Sequence, residues 1–316
     1  MKQERNTEKD RLGLPEGIAG SENWTAAEPI NKGWSADLKY RVTAADGSDR
    51  LLRLVPAAKA EAKRLEFEWM RRAAALDIPM PKPLSFGLCG DGEYVYSLLT
   101  WIDGEDAEPV VSAMEPERAY RLGRQAGEWL RLLHGLPAPQ DAPGPADTVR
   151  AEMKRKREAY ASCGYRLPYE RELLERIEAC LPLLDGTAPV FRHGDYHPGN
   201  MIIGPDGGLN IIDFNRSGFG DPCRDFNRLV TFTHSISPPF ARGQLDGYLS
   251  SGPADPDFFK RVSLYCASES LYSILWAIPF GEPEIGDTLR RSREIFDAFD
   301  GFRADVPVWY EAPPRP

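Results

Sequence analysis

Residues 191–228 read FRHGDYHPGNMIIGPDGGLNIIDFNRSGFGDPCRDFNR, and this run says more than the rest of the chain together. His193, Asp195 and Asn200 stand in the pattern H-x-D-x-x-x-x-N. Met201-Ile202-Ile203 and Leu209-Asn210-Ile211-Ile212 read as two short apolar strands, and Gly204-Pro205-Asp206-Gly207-Gly208 between them reads as a hairpin turn. Asn200 precedes the first strand and Asp213 follows the second, so an antiparallel hairpin is expected to bring the two together. Asp195 can then orient a hydroxyl and take its proton. An amide oxygen (Asn200) and a second carboxylate (Asp213) can hold Mg²⁺ against phosphates. Mg²⁺ prefers hard oxygen ligands and takes few of them from protein, so one Asn and one Asp suffice. The layout suits phosphoryl transfer from a Mg-nucleotide.

HGDYHPGN and IIDFNRSGFGDPCRDF resemble the catalytic and metal-binding segments of the aminoglycoside phosphotransferase family, whose fold is protein-kinase-like. The likeness runs from about Asn31 to beyond Arg228. It implies Asp195 as the catalytic base, Asn200 and Asp213 as metal ligands, and ATP or GTP as donor. It also implies that His193 braces the loop through hydrogen bonds and does no chemistry. His197 either packs beside Pro198 or contacts phosphate or acceptor. The second segment carries Asp-Phe-Asn (Asp213-Phe214-Asn215), which keeps the carboxylate but lacks the glycine of Asp-Phe-Gly. Asp221 and Asp225 are expected to accept backbone N–H bonds that anchor this loop.

Upstream, residues 24–101 read as a small β-rich lobe. Leu38–Val42 and Leu51–Val55 are strand-like around an Ala45–Ser48 turn. Ala57–Leu76 is rich in strong helix formers, and Pro79, Pro81 and Pro83 stop that helix and force an extended segment. Glu93–Ile102 reads as another strand. Gly33-Trp34-Ser35 sits where a nucleotide-covering loop belongs, and its backbone N–H groups with the Ser35 hydroxyl can donate to phosphate. Arg53 occupies the strand position where a kinase-like fold carries lysine. Its guanidinium can grip phosphate and an acidic partner together. Glu66 is the expected partner and Glu68 the reserve. The two lie roughly 200° apart on a helix, so only one can face Arg53. Lys39 is a second source of phosphate contact. The resemblance makes Thr100 and Ile102, before Asp103-Gly104, the hinge whose backbone meets the purine.

Residues 102–316 read as a larger, mostly helical lobe, with helices expected over Glu115–His134, Ala151–Tyr160, Arg171–Leu184, Asp225–Ser235, Phe258–Phe280 and Arg290–Phe299. Strands first and helices after give a two-lobed α+β architecture. By the resemblance, the acidic residues Glu282, Glu284 and Asp287 are candidates for binding a cationic acceptor.

The chain has 316 residues, 42% of them hydrophobic and 28% charged, ordinary for a globular protein. The formal net charge of −9 argues against nucleic acid as a partner. No apolar run approaches the ~20 residues of a membrane span. The opening MKQERNTEKDR lacks the apolar core of a secretory signal, and residues 1–23 are expected to be a disordered tail. Five scattered cysteines without a C-x-x-C pair fit reduced thiols in a cytoplasmic protein. The reading is therefore a small-molecule kinase acting on a polar, aminoglycoside-like acceptor, with its oligomeric state open. Two alternatives stand beside it. The missing lysine at Arg53 allows a nucleotide-binding pseudokinase. The H-x-D-x-H run of His193, Asp195 and His197 allows a metal-dependent hydrolase.

Overall fold

Alternating apolar positions build an antiparallel sheet from residues 24–100. Its elements are β1 (Trp24–Pro29), β2 (Leu38–Ala44), β3 (Asp49–Pro56), helix α1 (Ala60–Ala73), β4 (Pro83–Cys89) and β5 (Tyr94–Thr100). The strand order is β1-β2-β3-β5-β4. Val42, Leu52, Leu54, Tyr96 and Leu98 are buried in one cluster with Ile18 and Cys89. Successive strand residues point to opposite faces, so Arg53, between Leu52 and Leu54, faces the other way. On α1, Phe67, Met70 and Ala73 are buried, and the Phe67 ring lies 5.4 Å from that of Phe86 on β4. The structure, a computed structural model, describes residues 12–31, 37–250 and 255–310. It forms two units, residues 1–104 with 204–215, and residues 105–203 with 216–316.

Two expectations are corrected in the smaller unit. Charge density predicts a disordered tail through residue 23, but the chain from residue 12 on includes apolar Leu14 and Ile18, which pack into the sheet's cluster. Gly90 N–H donates to Glu16 O at 2.7 Å, fixing that approach. Residues 204–215, expected to belong with the larger lobe, fold with the smaller one. Ile211 N–H donates to Pro79 O at 2.9 Å.

The larger unit opens with β6 (Glu105–Asp106), α2 (Ala107–Ser112), α3 (Pro116–His134), α4 (Pro145–Ser162) and α5 (Glu170–Cys180). β7 (Val190–Arg192) and β8 (Met201–Ile203) follow, β8 pairing antiparallel with β6. Beyond β9 (Leu209–Ile211, in the smaller unit) come β10 (Gly218–Gly220), α6 (His234–Ile236), α7 (Pro238–Leu249), α8 (Phe258–Tyr272), α9 (Ile274–Ala277) and α10 (Glu284–Ala298). The single helix expected over Asp225–Ser235 is instead a 3-10 turn (Pro222–Phe226), a π turn (Leu229–Thr233) and α6. A π turn admits one extra residue per turn and re-aims the side chains it carries. No helix among the described residues is long and apolar enough to cross a membrane.

Candidate active site

The loop holding Asp195 leaves β7, which pairs with β10 through Arg192↔Gly218 and Phe191↔Phe219. A buried carboxylate then fixes its backbone. Asp225 accepts from His193 N at 2.9 Å and Gly194 N at 2.8 Å, and faces His134 Nε2 at 3.2 Å. Burial pushes the Asp225 carboxyl up, but His134 and the neighbouring cations outweigh it and hold the carboxyl at about 2. Asp221 begins the turn that delivers Asp225, accepting from Cys223 N at 3.2 Å and pairing with Arg261 at 2.7 Å. Gly194 has φ +85°, and a Cβ there would meet Arg216 O at 2.1 Å, so only glycine fits. His193 is fully buried and its Nδ1 accepts from Asp195 N at 3.3 Å.

The Asp195 side chain is 17% exposed and lies among two guanidinium groups and an imidazole. Arg228 Nε lies 2.8 Å from Oδ1, off the line of a good hydrogen bond. Arg216 Nη1 is 3.6 Å from Oδ2, and His197 Nε2 is 3.7 Å from Oδ1. Burial raises the Asp195 carboxyl, but Arg228, His197 and Arg216 together hold it below the usual carboxylate range. Arg228 bridges onward to Glu269 on α8 at 2.9 Å.

His197 stacks on Phe232 with ring centroids 5.1 Å apart, and burial pulls its imidazole down to about 4. It is therefore neutral near pH 7, with Nδ1 accepting from Gly199 N at 3.2 Å. The π turn carries Phe232, whose ring also meets the guanidinium groups of Arg228 at 5.3 Å and Arg291 at 5.6 Å. Asn200 Nδ2 donates to Asp195 O at 2.9 Å. That bond fixes the amide and leaves Oδ1, a hard oxygen suited to Mg²⁺, on its other arm.

In the smaller unit, Arg53 Nη1 meets Glu66 Oε1 at 3.2 Å, while Glu68 is exposed. Thr100 N–H donates to Lys82 O at 2.9 Å, and Thr100 Oγ1 accepts from Lys82 N at 2.8 Å. Ile102 follows the end of β5 and is half-buried. Asp213 has φ +62°, a conformation that is costly for a non-glycine residue and typical of functional positions. Ser35, with Gly33 and Trp34, lies outside the described residues.

The acidic residues near α10 have local partners. Glu282 accepts from Gly286 N at 3.2 Å, and Asp287 pairs with Arg290 at 3.4 Å. Glu284 opens the helix. The α10 side chain that reaches Phe232 is Arg291. Among the described residues, no group of three or more His, Cys, Asp or Glu side chains is arranged to hold a metal ion. Sequence reading missed Arg228, Glu269, Asp37 and Lys63. A usable signal existed for Arg228, three residues after Asp225 in a helical stretch and so on nearly the same face.

Residues 26–260 match the model of the phosphotransferase enzyme family. An aminoglycoside 3'-phosphotransferase of Niallia circulans is 26% identical over 212 residues, covering 64% of this chain and 76% of that one. Among solved structures, the GDP and kanamycin complex of APH(2")-IIIa superposes with a TM-score of 0.65 at 18% identity, over 87% of this chain and 94% of the other. The amicoumacin kinase hAmiN, in complex with AMP-PNP, Ca²⁺ and Ami, covers 96% of both chains with a TM-score of 0.60 and 13% identity. At these identities the structural likeness carries the fold, a protein-kinase-like α+β architecture with a β-rich first lobe and a mostly helical second.

Proposed function

The chain belongs to the phosphotransferase enzyme family and is a small-molecule kinase, and from that premise we propose that it moves the γ-phosphate of a Mg-nucleotide to a hydroxyl of a polar, aminoglycoside-like acceptor. The observation that carries this reading is the ionised Asp195, held on a loop whose backbone Asp225 fixes and whose following amide, Asn200, is oriented by Asp195 itself. Asp195 orients the acceptor hydroxyl and takes its proton as transfer proceeds. Its depressed carboxyl is a weak base. That suits a loose transition state, where the hydroxyl proton leaves late. Arg216 and Arg228 lie beside it, where charge on the transferring phosphoryl needs neutralising.

Asn200 Oδ1 and the Asp213 carboxylate fit Mg²⁺ as hard oxygen donors. When bound, the ion neutralises phosphate charge. Arg53 with Glu66, and Ser35, serve the nucleotide phosphates, and the backbone of Thr100 and Ile102 serves the base. GDP and AMP-PNP in the complexes of similar proteins support either purine nucleotide as donor. Kanamycin in one of those complexes supports an aminoglycoside-like acceptor, whose amino groups Glu282, Glu284 and Asp287 would meet while His197 borders its hydroxyl. His193, Asp221 and Asp225 shape the loop.

The test is nucleoside diphosphate release from Mg-ATP and Mg-GTP with pooled aminoglycosides, macrolides and amino alcohols. Acceptor-stimulated release is expected, and Asp195→Asn should lower it by about 10²–10⁴-fold. Unchanged turnover in the variant would remove Asp195 from the role of base.

A further inference from the structure

Arg53 and Lys63 share two carboxylates in a closed ring. Arg53 Nη2 lies 2.6 Å from Asp37 Oδ2, and Arg53 Nη1 lies 3.2 Å from Glu66 Oε1. Lys63 Nζ lies 3.2 Å from the same Asp37 oxygen and 2.7 Å from Glu66 Oε2. All four side chains are at most 16% exposed. A small cavity, room for about one water, is lined by Asp37, Arg53 and Lys63 together with Val55, Phe86 and Val95.

Two features distinguish this ring from an ordinary ion pair. Both cations converge on one oxygen, Asp37 Oδ2, from different elements, β3 and α1. A phosphate oxygen is well matched by that convergence of a guanidinium and an ammonium. The four members also differ in how they are held. Arg53 sits inside β3, and Lys63 and Glu66 share a face of α1, but Asp37 lies just before β2 begins. Asp37 is the member whose departure breaks no helix or strand. With it the ring is formally neutral. Without it, two cations share one carboxylate.

We propose that Asp37 is an internal stand-in for a nucleotide phosphate: Arg53 and Lys63 form a phosphate-binding site that the Asp37 carboxylate fills until a phosphate displaces it. Lys63, from the helix, thereby supplies the ammonium that β3 lacks at Arg53. This rests on the kinase reading and adds to it a built-in competitor. Apparent nucleotide affinity is the intrinsic affinity reduced by the fraction of molecules in which Asp37 still holds the site. The low carboxyl of Asp37, where Arg53 and Lys63 overcome burial, fits a group that stays ionised and competes.

The test is calorimetric titration of the full chain with Mg-ATP, Mg-GTP and tripolyphosphate, comparing the wild type, Asp37→Asn and Lys63→Met, with thermal midpoints measured in parallel. Asp37→Asn should bind about tenfold more tightly, the worth of one charge-assisted hydrogen bond, and its midpoint should rise further on ligand addition than the wild type's. Lys63→Met should bind about tenfold more weakly, and it decides the matter if Asp37→Asn does not fold. Folded Asp37→Asn with equal or weaker affinity, or Lys63→Met with wild-type affinity, overturns the proposal while nucleotide binding by the wild type leaves the kinase reading standing. If no variant takes up nucleotide or tripolyphosphate, both readings fall together.

Discussion

Two arginines attend one carboxylate at Asp195, and only one of them is buried. Arg228 is 14% exposed and links Asp195 to Glu269, whereas Arg216 is half in solvent. A buried guanidinium with two carboxylate partners is fixed in place, so it holds the Asp195 rotamer as well as its charge. On the proposed role of Asp195, Arg228→Met should lower kcat about 10–100-fold, since small misplacements of a reacting group cost that much. KM for the nucleotide should change little, and Arg228→Lys should restore part of the rate. A fall confined to KM, or no rescue by lysine, would count against a positioning role; steady-state kinetics with circular dichroism as the fold control makes the distinction. At this scale the sequence exposed what lies close along the chain. His193, Asp195, Asn200 and Asp213 declare themselves by spacing. Glu269 does not, because 41 residues separate it from Arg228 and its partner is set by the packing of α8. Asp37 and Lys63 stay hidden for a related reason: each resembles a surface charge until the ring they close with Arg53 and Glu66 is seen.

Helix α7 was not legible because Pro238-Pro239 reads as a breaker. Proline is tolerated in the first turn, where the missing N–H has no partner to lose, and the helix runs from Pro238 to Leu249. The prolines before β4 act the other way: they imply an extended segment, and Pro83 is the first residue of that strand. What α7 does is clear from its glycines. A Cβ on Gly243 or Gly247 would lie 2.2 or 2.0 Å from the backbone oxygens of Tyr120 and Arg124, and one on Gly123 or Gly127 would lie 2.1 Å from those of Phe240 and Gln244. Helices α3 and α7 therefore touch backbone to backbone through two glycine pairs, each spaced four residues apart. Gly127→Ala must separate them and should cost about 3 kcal/mol, at the upper end for overpacking. Gly144→Ala, at the start of α4 with nothing within 4 Å of its Cβ, should stay within about 0.5 kcal/mol of wild type. Urea unfolding of both variants tests the contrast, and equal stabilities would mean that the helix pair yields more easily than its geometry implies.

Across the whole molecule, strands before helices point to a two-lobed α+β class, and the family resemblance of the motif segments implies the kinase-like form. The allocation of segments did not follow. Residues 204–215 join the smaller unit, and sequence order alone gives no reason for a chain already past residue 200 to return there. Long-range ion pairs set how the molecule meets acid. Glu152 on α4 receives both Nη groups of Arg224 at 2.6 and 2.7 Å and Lys156 at 2.9 Å. Burial pushes its carboxyl up, but Arg224 and Lys156 prevail and hold it at about 2. Asp225, one residue beyond Arg224, is also at about 2. Unfolded carboxyls titrate near 4, so between about pH 4 and 2 the unfolded chain binds more protons than the folded one. The stability these two groups contribute is complete above that window and is lost as pH falls through it, by roughly 2–3 kcal/mol for each group. Glu152→Gln should be less stable than wild type by roughly 3 kcal/mol at pH 7, because it leaves Arg224 buried without its carboxylate. By pH 2 that deficit should close as the wild-type carboxyl becomes protonated. Denaturant unfolding from pH 7 to pH 2 at low protein concentration reads the difference directly, and a gap that stayed constant across the window would mean that the Glu152–Arg224 contact does not carry the acid sensitivity assigned to it.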